Sequence, residues 1–336
     1  VYYNAINGDL DAAYRAAKRG AERIPDPILA YYWGRSAGMH NRPREALEAY
    51  SRLDPRSPSM ETLGLWRRLC FERGLALHAL GEHRRELREA LILRDWKPDW
   101  YGFLIVEMRA RTALVHLDRV EELVEEAERK HGYGPDAAFW ASRGLRAHGH
   151  RDAALEMANR ELAYVEARPA EEHETVGYRQ ALFLALYNLE QWDDARAVAE
   201  GLVADPPSDP TLPYGRALYR LGSVAAFGGD AETARRISDQ IAAIDIPFDM
   251  GESLTWRAGI AAILGDRERA VSLLRESHDH GWDFDHDVIS FRAVLLSASC
   301  ALPSARLQVP LAGQMDEGSK VLANHNHDVA TTSAVA

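Results

Sequence analysis

The chain has only two cysteines, Cys70 and Cys300, 230 positions apart. That scarcity excludes a disulfide framework and any C-x-x-C metal or redox motif, and leads us to expect a reducing, cytoplasmic setting. Long apolar runs are also missing. The richest stretch, LFLALYNL at 182–189, is soon bounded by polar residues and falls well short of the roughly 18 apolar residues of a membrane-spanning helix. Basic tracts are equally scarce: Lys and Arg number 40 against 51 Asp and Glu, for a net charge of -11. Nothing in the sequence forms a stripe able to track phosphates, so nucleic acid is not an expected partner.

Catalytic signatures are incomplete. HRD at 150–152 begins like a kinase catalytic loop but carries Met157 where a metal-binding Asn belongs. His173-Glu174 opens an H-E-x-x-H pattern, yet Gly177 stands at the second histidine position. No Walker loop occurs. The expectation is a non-enzyme with no cofactor.

What the chain does have is an internal repeat. The segments NGDLDAAYRAA (7–17), HNRPREALEAY (40–50), LGEHRRELREA (80–90), LDRVEELVEEA (117–127), HGHRDAALEMA (148–158), LEQWDDARAVA (189–199), GGDAETARRIS (228–238) and LGDRERAVSLL (264–274) share a turn-forming or polar second position. Five places later stand Ala13, Ala46, Glu86, Leu123, Ala154, Ala195, Ala234 and Ala270. Their spacing is that of helix-turn-helix repeats. Seventeen places after the turn position come Pro25, Pro58, Pro98, Pro135 and Pro207, residues that cannot continue a helix and so end one pair and orient the next. Gly34, Gly74 and Gly222 sit seven places before their turns, where two helices would cross closely.

These residues resemble the tetratricopeptide repeat over about residues 1–282. The resemblance implies an all-α, right-handed superhelix of the α-α solenoid type, with about seven and a half helix pairs and a first half-pair missing before Val1. Residues 283–336 are expected to form a capping helix at most, followed by a disordered tail. Two departures stand out: Glu86 takes the place of the small alanine, and the unit read from Asp118 has Arg111 where a small residue belongs. LGDRERAVSLLRES (264–277) and NRPREALEAYSRLDP (41–55) look like the repeat regions of bacterial serine/threonine kinases and transcriptional regulators. That likeness implies the regulatory part of a longer signalling protein.

Two candidate sites follow. In this repeat class the first helices line a groove that binds protein segments. The register projects Tyr31, Arg35, Arg68, Phe71, His78, Met108, His116, Arg143, Arg146, Tyr187, Asn188, Arg216 and Tyr219 toward it. Arginines and aromatics suit an acidic or carboxylate-bearing protein or peptide segment. The alternative is a metal-dependent enzyme at HDHGWDFDHD (278–287), using His278, His280, Asp285 and His286. A calcium loop there would need Gly and Glu where Val288 and Val294 stand, and His278 and His280 read more simply as the end of a helix before Gly281. Small-ligand sensing in the groove is a third reading.

Overall fold

The computed structural model describes residues 10–132, 134–204, 212–244, 249 and 251–280. Among these residues every regular element is a helix. Helix α1 (Leu10–Arg23) is followed by seven pairs: α2 (Pro27–Met39) with α3 (Pro43–Tyr50), α5 (Leu65–Ala79) with α6 (His83–Trp96), α7 (Gly102–Ala113) with α8 (Leu117–His131), α9 (Gly134–Ala147) with α10 (Arg151–Glu166), α11 (Val176–Asn188) with α12 (Trp192–Val203), α13 (Leu212–Phe227) with α14 (Ala231–Ala243), and α15 (Glu252–Ile263) with α16 (Arg267–Asp279). A short α4 (Pro58–Thr62) precedes the second pair, and a single 3-10 turn spans Ala170–Glu172. Residues 281–336 lie outside the described residues, and so do Pro207 and the capping helix expected near 288–296.

One turn is used seven times. Asn41, Gly81, Val115, Gly149, Glu190, Gly229 and Gly265 all have positive φ, between 56° and 86°. In each turn the next residue's N–H bonds the carbonyl five places upstream: Arg42 to Ala37, Glu82 to Leu77, His116 to Arg111, His150 to Leu145, Gln191 to Leu186, Asp230 to Ala225 and Asp266 to Ala261. This closure caps the last carbonyls of the first helix and sends the chain back antiparallel. Where Asp follows the turn, its carboxylate caps the second helix. Asp230 accepts from Thr233 N at 3.0 Å and Asp266 from Arg269 N at 3.1 Å.

Six of these turns fall where the repeat pattern puts them. The third does not: the turn residue is Val115, three places before Asp118. With that correction the residues five places after the turns are Ala46, Glu86, Val120, Ala154, Ala195, Ala234 and Ala270, all at most 2% exposed. Val115 is an exposed, β-branched residue in a left-handed conformation, which costs it about 1 kcal/mol or more. Val115→Gly is therefore expected to raise stability by about 1 kcal/mol, read as a higher melting temperature. A decrease would contradict the assigned turn.

Packing links pairs as well as helices within a pair. Each second helix lies on the following first helix, and first helices touch one another in succession: α2 on α5, α5 on α7, α7 on α9, α9 on α11, and α13 on α15. Second helices make no comparable contact with each other among the described residues. The first helices thus form the inner row of the array. Close approach needs missing side chains: a Cβ at Gly34 would overlap the Tyr50 ring, and one at Gly222 would come within 2.6 Å of Ile260 Cδ1.

Candidate functional site: the first-helix row and a buried polar node

Charge is sorted between the rows. The seven first helices carry twelve arginines against four acidic residues, Glu72, Glu107, Asp136 and Glu252, in a chain whose net charge is -11. Several of these arginines fasten one pair to the next. Arg35 reaches Glu72, Arg146 reaches Glu190 and the Asn188 carbonyl, and Arg216 Nε donates to Glu252 at 2.7 Å. Arg94 of α6 likewise bridges Glu107 of α7 and Glu126 of α8. Planar guanidinium groups suit this job, because one Arg can hold two acceptors at fixed geometry.

The projected groove residues divide accordingly. Tyr31, Met108 and Asn188 are buried, at 2%, 1% and 5% exposure, and the structure withdraws them from any groove surface. Helices α2, α7 and α11 are apolar around much of their circumference, so a face assigned by spacing alone turns inward. Tyr31 donates to Glu72 at 3.3 Å, and burial pushes its hydroxyl up to about 12. Tyr187 packs against Trp192 and Phe227, Tyr219 stacks on Trp256, and Phe71 lies under Arg109. These rings are half-buried packing between pairs. Arg68, His116 and Arg216 are exposed, while Arg35, Phe71, His78, Arg143, Arg146, Tyr187 and Tyr219 are intermediate. Arg143 lies over Phe139 at 4.9 Å.

Asn188 has a different role. Its Nδ2 donates to Glu161 Oε2 at 3.1 Å. Burial pushes the Glu161 carboxyl up to about 7, against the lowering effect of that bond. An acid whose folded value is raised holds its proton in the folded state, so stability falls as pH rises from about 4.5 to 7. Glu161→Gln is expected to remove most of that fall, stabilising the chain at pH 8 by roughly 2–3 kcal/mol and by little at pH 4.5. Equal effects at both pH values in thermal melts would rule this out.

Glu86, the departure from the small-residue pattern, is completely buried. Arg109 Nε donates to its Oε1 at 2.6 Å and His78 Nδ1 to its Oε2 at 2.8 Å. Burial alone would raise its pKa, but Arg109 and the His78 donor outweigh it and hold Glu86 well below the usual carboxylate range. His83 and His148 close around the same node. Neither was singled out in the sequence, because His148 arrives from 70 residues away.

At the other candidate, His280 caps α16 through its backbone N–H to Glu276 O at 3.1 Å. His278 is exposed, 3.8 Å from the Asp279 carboxylate, and its carbonyl accepts from Asn41 Nδ2 at 3.4 Å. Asp285 and His286 lie outside the described residues. Cys70 is buried, and burial pushes its thiol up to about 12, far from a reactive thiolate. No described helix is long and apolar enough to cross a membrane.

Seven hairpins, each closed by the same left-handed turn and stacked through their first helices, define an all-α solenoid of helix pairs. Among solved structures, a tetratricopeptide repeat protein from Parabacteroides merdae ATCC 43184 aligns over 86% of this chain and 98% of its own, at 12% identity and a TM-score of 0.43. No protein-family model and no curated protein sequence matches the chain.

Proposed function

We propose that this chain is a non-catalytic protein-interaction scaffold that holds an acidic protein segment along its first-helix row, as the regulatory part of a longer signalling protein. The observation that carries the reading is the sorting of charge: twelve arginines and four acidic residues on the inner helices of an acidic chain. A row of one sign concentrates ligands of the other and speeds their arrival. Arg67 and Arg68, exposed on α5, make no ion pair among the described residues.

The test uses fluorescein-labelled poly-glutamate and poly-lysine peptides and the full chain. Poly-glutamate is expected to bind, more weakly as salt rises, and Arg68→Glu with Arg143→Glu to weaken it by about tenfold or more. Equal binding of poly-lysine, or a double variant that binds as the parent does, would overturn the reading.

A further inference from the structure

Three histidines converge on the polar node around Glu86, and we infer that His78, His83 and His148 form a site for a zinc-class divalent cation, with Glu86 as the carboxylate that orients His78. His78 lies in the last turn of α5, His83 opens α6, and His148 follows α9. The site would therefore join the second pair to the fourth.

The geometry is specific. His78 Nε2 and His148 Nε2 are 3.4 Å apart, and two nitrogens at the usual 2.0–2.1 Å from a tetrahedral zinc are separated by about 3.4 Å. The ring centroids of His78 and His83, His78 and His148, and His83 and His148 are 4.6, 5.3 and 5.5 Å apart. Three imidazoles sharing one tetrahedral ion have centroids about 5 Å apart. His83 and Glu86 also each place a ligand atom within 4.8 Å of one on His78.

The protonation states agree. Arg109 Nε donates to the Glu86 carboxylate at 2.6 Å, and a carboxylate so paired accepts from His78 Nδ1 across their 2.8 Å bond. That leaves the Nε2 lone pair facing His148. A carboxylate behind a ligating imidazole is the usual outer-shell arrangement, fixing tautomer and ring orientation. His83 Nδ1 is buried and faces the same carboxylate, 3.6 Å from Glu86 Oε2. An open cleft of about 380 Å³ between Gly81, Arg88 and Leu114 is lined by His83.

Arg109 limits the affinity. Its guanidinium already neutralises Glu86, so the ion meets neutral imidazoles without a spare negative charge, and binding is expected to be weaker than at thiolate sites.

The experiment titrates the chelator-treated full chain at micromolar concentration with Zn²⁺, and separately with Co²⁺ followed by its visible absorption. One equivalent is expected to bind with a tetrahedral Co²⁺ spectrum, and Zn²⁺ is expected to raise the melting temperature. His83→Gln and His148→Gln should each weaken binding by about 100-fold and abolish the thermal shift while keeping the parent's helical circular dichroism. His278→Gln with His280→Gln should change neither. If one variant fails to fold, the other and the Co²⁺ spectrum still decide. Absence of one-equivalent binding, an octahedral spectrum, or binding that survives both His83→Gln and His148→Gln would refute the site.

Discussion

Glu86→Gln is expected to lower the melting temperature by about 10 °C, corresponding to roughly 3–5 kcal/mol for one broken buried ion pair. The amide keeps the shape but not the charge, and Arg109, only 7% exposed, would be left without its counterion. The size of the effect comes from burial. Glu89, which pairs with Arg73 at 2.8 Å in a half-buried setting, should cost no more than about 1 kcal/mol when changed to Gln. The pH dependence is also fixed. Glu86's folded pKa is depressed, so its contribution is present above the ordinary carboxylate value of about 4.3 and is lost as pH falls below it. Parent and variant should therefore converge in stability as thermal melts are taken from pH 7 toward pH 3. A constant difference would mean that charge is not what the substitution removed.

Trp33→Ala is expected to cost about 3–5 kcal/mol, the range for removing a large aromatic from a closed core. Trp33 is 1% exposed, its Nε1 donates to Glu45 at 3.0 Å, and Arg52 lies over its ring at 4.6 Å. Glu45 also accepts from Tyr14 at 2.6 Å and Lys18 at 2.7 Å, so α1, α2 and α3 are tied at one carboxylate beside this ring. Trp33→Phe keeps most of the volume and loses the donor, and should cost about 1–2 kcal/mol. If the two substitutions cost the same in chemical denaturation, the hydrogen bond rather than packing holds this corner.

Much of the fold could be read from the residues because turns and crossings demand particular chemistry. Asn41, Gly81, Gly149, Gly229 and Gly265 tolerate positive φ, and Trp33-Gly34 marks a helix crossing where no Cβ fits. Val115 hid the third turn because a β-branched residue carries no turn signal, and Asp118 imitated one three residues later. The site was less legible. Spacing gives a helix's faces but not which of them is covered, and α7 buries Phe103, Leu104, Ile105 and Val106 in succession, so Met108 could not be placed by period alone. Glu86 was visible as an oddity in the repeat. Its pairing with Arg109 was not, because the two meet only through the stacking of pairs.

The most direct test of the binding face is hydrogen exchange on the full chain with and without poly-glutamate. Added protection is predicted along the first helices α5, α9 and α13, with α8, α10 and α14 unchanged. Protection centred on those second helices, or none at saturating peptide, would contradict it.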